Sequence, residues 1–225
     1  MKSIGIHLIF FFIAMAMLES AVVIYLRELL YPHGFVFPLV GMKDIVILTE
    51  LVRETATIVM LWTIAYVAGH NISSRFAWFM IGFGIWDIFY YVFLYIFIHW
   101  PASLLDWDIL FLIPIPWYGP VIAPCIISML MIVFGCLIIV SCHGDKKVSV
   151  PRLSILLLIL GCLIVLWTFM GGFIMSMNTS ENINLSQNIL SHSQAYVPHN
   201  YSYILFSMGI VIIVVGIGIF YKRNN

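Results

Sequence analysis

The sequence predicts an all-α integral membrane protein of six transmembrane helices, with one short interfacial or re-entrant helix on the outer side. Three observations carry that prediction. Of the 225 residues, 63% are hydrophobic and 9% are charged, against about 45–50% and about 25% in soluble domains. Mean hydropathy is +1.10. Apolar runs long enough to cross a bilayer, about 20 residues each, recur along the whole chain. A water-soluble domain is excluded. Ten Lys+Arg balance ten Asp+Glu, so no one-signed field points to nucleic acid. No tract of low complexity or internal repeat divides the chain, which reads as a single polytopic domain, 1–225, with a polar half (1–118) and an apolar half (119–225).

The six runs are, in order, Ile4 to Leu30, Ile45 to Ala68, Phe76 to Ile98, Pro120 to Ser141, Leu153 to Met177 and Tyr203 to Tyr221. The start, Met1-Lys2 before an apolar run with Ala14-Met15-Ala16, has the composition of a signal peptide but reads as a retained first span. Lys2, Arg75, Lys146, Lys147, Arg152, Lys222 and Arg223 fall at alternate connections and both termini, whereas the other connections hold only Lys43. By the positive-inside rule both termini are cytoplasmic, in a multi-pass protein of the cell membrane. The segments from His99 to Gly119 and from Asn178 to Ser202 are then outside.

The first of these outer segments holds the expected short helix, Ser103 to Ile113. Ser103 with Asp106 three residues later fits a capping box, and the run that follows ends at Pro114. Its length is too small for a span. Pro114, Pro116, Pro120 and Pro124 make a stiff connector, and Trp100, Trp107 and Trp117 suit the headgroup level.

Charge inside the spans is the most informative feature, because each ionisable group there costs about 2.5–3.5 kcal/mol on insertion scales. The last three spans hold no Asp, Glu, Lys or Arg in their interiors, whereas the first three carry Glu19, Arg27, Glu28, Glu50, Arg53, Glu54 and Asp87. At 1.5 Å per residue, Glu19, Glu50, Glu54 and Asp87 share a slab from the midplane toward the outer face. Glu50, Arg53, Glu54 and Thr57 are spaced i, i+3, i+4 and i+7, so they lie on one helical face. Gly84, Asp87, Tyr90 and Tyr91 form a second stripe, with Gly84 permitting close approach of another helix. Both stripes are expected to face inward and meet. Four carboxylates against one mid-span cation, Arg53, would leave buried charge uncompensated, which implies bound protons or a bound cation; Arg27 is close enough to reach down but has Glu28 beside it. The plainer reading is that these groups only glue three helices together.

His7, His70 and His143 map to inner helix ends, and His33, His99, His192 and His199 to the outer side. A pair at equal depth would be able to ligate haem, although interfacial histidines at helix ends are commoner. His99 near Asp87, Asp106 and Asp108 outlines an O/N metal set; the simpler role of Asp106 and Asp108 is to favour the N-terminal dipole of the short helix. Cys125, Cys136, Cys142 and Cys162 lack CxxC spacing and read as small apolar residues. Gly209, Gly216, Gly218 and Gly171-Gly172 offer surfaces for helix packing. The motifs HExxH, ExxH, GxSxG, GxGxxG and the Walker loop are absent. Asn178-Thr179-Ser180, Asn184-Leu185-Ser186 and Asn200-Tyr201-Ser202 match a glycosylation sequon that chance also supplies.

The expected function is proton handling by Glu19, Glu50, Arg53, Glu54 and Asp87, in a subunit or partner of a membrane redox assembly engaged in electron transport. The lipid bilayer and other membrane subunits are the expected partners, and no cofactor is specified. The alternatives are a metal-dependent membrane enzyme built on the same carboxylates with His99, and a small cation or solute transporter, which more often brings inverted repeats.

Overall fold

The computed structural model describes residues 2–142, 149–178, 193 and 195–224. His143, Lys146, Lys147, His192 and the sequons beginning at Asn178 and Asn184 lie wholly or partly outside the described residues. Six long helices are described: α1 (Lys2–Leu30), α2 (Asp44–Ala68), α3 (Ile72–Ile98), α4 (Ile122–Ser141), α5 (Arg152–Asn178) and α6 (Tyr203–Asn224). Five of them, α1 and α3 to α6, are long and apolar enough to cross a membrane. The other, α2, has 25 residues and carries Asp44, Glu50, Arg53 and Glu54 in its first half.

The expected short helix does not form. Residues 107–120 instead make a two-stranded antiparallel hairpin, β1 (Trp107–Phe111) and β2 (Trp117–Pro120). The Ser103/Asp106 signal is real but closes a turn. Asp106 Oδ2 accepts from the Ser103 N–H at 3.0 Å, as in a capping box, yet Ser103 Oγ accepts from Leu105 N–H and the Asp106 N–H returns to the Ser103 carbonyl. Trp107, Ile109 and Phe111 are aromatic or β-branched, a composition that suits a pleated strand, and Pro114 and Pro116 confine the reversal between the strands. The register slips by one residue between Ile109 and Phe111, as at a β-bulge. Pro120 stands at the end of β2, where a missing N–H costs no ladder bond.

Helix α3 begins four residues before the expected Phe76, because Asn71 and Ser74 form a reciprocal capping box: Asn71 Oδ1 accepts from Ser74 N–H at 2.8 Å and Ser74 Oγ from Asn71 N–H at 3.0 Å. It is the central helix, with α1, α2 and α4 packed around it. Small residues set the α3–α4 distance. A Cβ on Gly84 would lie 2.5 Å from the Ser128 carbonyl oxygen, and one on Gly135 would lie 2.7 Å from Ile81 and 2.8 Å from the Ala77 carbonyl. Helices α5 and α6 form a second pair in the same manner, with Gly161 and Gly209 at the crossing and Ser154 donating to the Gly216 carbonyl at 2.7 Å. Gly218 faces open space and so does not build a helix interface, and the atoms nearest Gly171 belong to Trp167 of its own helix. The hairpin joins the two groups: Trp117 stacks on Phe169 of α5, and Trp107 meets Tyr201 edge-on.

Because real Cβ atoms do not approach backbone oxygen at 2.5 Å, Gly84→Val and Gly135→Val are expected to lower stability by about 1–3 kcal/mol through overpacking, whereas Gly218→Ala, in open space, is expected to be neutral or stabilising. Thermal melting of the detergent-solubilised protein checks both; equal melting temperatures for all three variants would contradict close α3–α4 packing.

Candidate functional site: a carboxylate and arginine pocket

The carboxylates of the first three helices converge. A cavity of about 150 Å³ is lined by Glu19 and Arg27 from α1, Glu50, Arg53 and Glu54 from α2, Trp86, Asp87, Tyr90 and Tyr91 from α3, and Asp108 from β1. Helical spacing explains the α2 set: Glu50, Glu54 and Thr57 are buried on one face, as their i, i+4, i+7 spacing requires.

Arg53 is held between two carboxylates. It pairs with Glu19 across the helix interface and with Glu50 of its own helix, where Nη2 lies 2.5 Å and Nε 3.0 Å from Oε2. Thr57 Oγ1 donates to Glu19 Oε2 at 3.1 Å and to the Arg53 carbonyl at 3.0 Å. Glu54 accepts from the Leu112 N–H at 2.9 Å, which fastens α2 to the end of β1. Asp87 accepts from Ser128 Oγ of α4 at 2.8 Å, so the otherwise apolar α4 supplies one polar group to the site. All of Glu19, Glu50, Arg53, Glu54 and Asp87 therefore border one cavity, but Asp87 is held from the α4 side and makes no ion pair with Arg53.

Two residues of the site were not legible as such. Asp108 is 2% exposed, and its Oδ1 pairs with Arg27 Nη2 at 2.9 Å while Oδ2 accepts from Tyr91 Oη at 3.2 Å. With no helix at 103–113, the dipole role expected for Asp106 and Asp108 falls away. Burial raises the affinity of the Asp108 carboxyl for a proton above the ordinary range, against the opposing pull of Arg27, the Ile109 N–H and the Tyr91 hydroxyl. Arg27 is in turn sandwiched, its guanidinium 3.6 Å from the Trp100 ring and 4.5 Å from Phe35, a geometry that favours a cation. Its Nη1 is buried without a hydrogen-bond partner among the described residues. The neighbouring Glu28 is exposed and takes no part. The signal that would have found the pair is the strand period: alternation from Trp107 places Asp108 on the face opposite the indole.

His99 and Asp106 do not line this cavity. His99 is exposed and caps α3 in the left-handed region at φ 51°, and Asp106 is engaged by the Ser103 turn. The metal set expected from His99, Asp87, Asp106 and Asp108 is thus not assembled; among the described residues no three His, Cys, Asp or Glu form a group able to hold a metal ion. His7 and His70 are both exposed. The four cysteines are free.

The charge count is changed by the hairpin. Five carboxyl groups border the cavity, Glu19, Glu50, Glu54, Asp87 and Asp108, against the two guanidiniums of Arg27 and Arg53. The structure supplies hydrogen-bond donors to the two acids without an arginine partner in place of counter-charge: the Leu112 N–H to Glu54 and Ser128 Oγ to Asp87.

Removing one partner of a buried ion pair strands the other, at a cost of about 3–5 kcal/mol, while replacing both by apolar groups costs much less. Arg27→Met and Asp108→Leu are each expected to destabilise by about that amount, and the double variant by less than either alone. Arg53→Leu is expected to harm the protein far more than Glu28→Gln. Denaturation of these five variants beside the parent protein in one detergent tests this; additive losses for Arg27 and Asp108 would mean that the pair is not coupled.

No family model, curated protein or solved structure matches this chain.

Proposed function

We propose that the protein is a six-span subunit or partner of a membrane redox assembly in the cell membrane, and that its pocket takes up and releases protons. Both termini are cytoplasmic in this reading, which rests on Lys2, Arg75, Arg152, Lys222 and Arg223 on one side and Lys43 on the other. The pocket then lies toward the outer face, beneath the connection 31–43 and the hairpin.

The observation that carries the reading is the imbalance of five carboxyl groups against two guanidiniums around one small cavity. Buried charge without a partner is expensive, so the acids in excess of the arginines are stable when they carry protons. Such acids exchange protons when a neighbour changes its charge. The hydrogen-bonded steps are present as Tyr91 to Asp108, Ser128 to Asp87 and Thr57 to Glu19, and a cavity of about 150 Å³ has room for several waters to bridge them. Of Glu19, Glu50, Glu54 and Asp87, the two that pair with no arginine, Glu54 and Asp87, are the proton carriers; Arg53 fixes the charge of Glu19 and Glu50, and Arg27 that of Asp108. Proton movement needs a driving reaction, and redox complexes of membranes couple electron steps to protons, which is why an electron-transport assembly is the partner assigned.

Infrared difference spectroscopy across a pH titration tests the proposal. A protonated carboxyl band at neutral pH is expected in the parent protein, and its loss or displacement in Glu54→Gln or Asp87→Asn. A parent protein without such a band would leave the pocket as a structural cluster. Topology is checked separately with His70→Cys and Ser103→Cys in a background lacking the native cysteines: an impermeant thiol reagent added to intact cells is expected to label position 103 and spare position 70.

A further inference from the structure

A second and larger cavity, about 620 Å³, lies between α4 and the α5–α6 pair. On α5, Ile155, Leu158, Cys162 and Val165 point into it at i, i+3, i+7 and i+10, opposite Leu130 and Phe134 of α4 and Ile217 of α6. The lining runs from Ile155 to Phe169 on α5, a rise of about 21 Å at 1.5 Å per residue. That is more than the ~15 Å half-thickness of a bilayer hydrocarbon core. The space is thus long, narrow and parallel to the helices.

Its chemistry selects the occupant. Of the lining side chains only Ser73 at one end and Trp117 at the other carry nitrogen or oxygen, and a buried water requires two to four polar partners. Water is therefore a poor filling. The volume is about four times that of an apolar cavity that takes up one benzene ring. Ile155 and Ile159 line the cavity and are also 42% and 54% exposed, so it opens sideways, where a membrane presents hydrocarbon.

We infer that this cavity binds one linear hydrocarbon chain, the acyl chain of a membrane lipid or the isoprenoid tail of a lipid-soluble carrier, lying along α5. The chain supplies van der Waals contacts that the lining side chains of the cavity otherwise lack. The inference uses the membrane reading of the helices and is independent of the proton pocket.

Native mass spectrometry of the detergent-purified protein is the test, followed by solvent extraction and identification of what is released. A one-to-one adduct is expected; an ester-linked diacyl species assigns a lipid, and a polyprenyl species assigns a carrier. Cys162→Trp and Leu130→Trp fill the cavity from opposite walls and are expected to abolish the adduct while retaining helicity and a cooperative melt. Val211→Trp, on an exposed face of α6, is expected to retain it. Absence of an adduct from the parent protein overturns the inference, as does an adduct that persists in a folded cavity-filling variant. Should one of the two variants fail to fold, the other decides.

Discussion

The ion pair between Arg27 and Asp108 holds the hairpin end of the molecule together. It joins the last turn of α1 to the first strand of the hairpin, inside a region where neither charge is stable alone. Several features converge on that one contact. The guanidinium position is fixed by Trp100 and Phe35, so the α1–α2 connection is anchored by the same cation. The second carboxylate oxygen takes the Tyr91 hydroxyl and orients the α3 stripe. Four residues further along, just past the end of β1, the Leu112 N–H fastens Glu54. The hairpin thus ties the polar ends of three helices that elsewhere meet through the apolar cluster of Phe12, Leu61 and Trp86.

Hydrogen bonding also explains why so acidic a cluster is built into so apolar a chain. A carboxyl that accepts from a hydroxyl or a backbone N–H is satisfied without a counter-ion. Ser128 does this for Asp87 from a helix with no charged residue at all. The tight α3–α4 approach at Gly84 brings the Ser128 backbone into contact, so a packing residue and a polar residue of the site act at the same turn. Packing of α3 against α4 and chemistry at Asp87 are for this reason the same structural problem.

Much of this was legible in the amino-acid sequence, for stated reasons. Long apolar runs give helices because a lipid-embedded backbone must satisfy its own hydrogen bonds, and the spacing of Glu50, Arg53, Glu54 and Thr57 fixes their shared face whatever surrounds them. The convergence of Glu19 and Asp87 on that face followed from depth alone. The hairpin was not legible. A capping-box pair and an apolar run of suitable length have the same local signature whether the chain then coils or extends, and the choice was made by a partner strand, Trp117–Pro120, whose pairing is non-local. With the helix went the assignment of Asp108, because its direction is set by a period of two and not of 3.6. The Asn71 cap was local and readable, and its omission moved the start of α3 by four residues.

The alternation of the strand has one more implication. Trp107 turns toward the aromatic cluster of α5 and α6, and Asp108 toward Arg27, so neighbouring residues address different halves of the protein. A slip of one position would exchange an acid for an indole or an isoleucine in the polar compartment. What holds the alignment is the carbonyl of Asp106 accepting from Val121 and that of Leu104 from Ile122, where the ribbon feeds into α4. The electrostatic character of the acidic compartment is thus a matter of phase, set by how many residues separate two bends. Insertions or deletions between Ser103 and Val121 rewrite it even when every acidic and basic residue is kept.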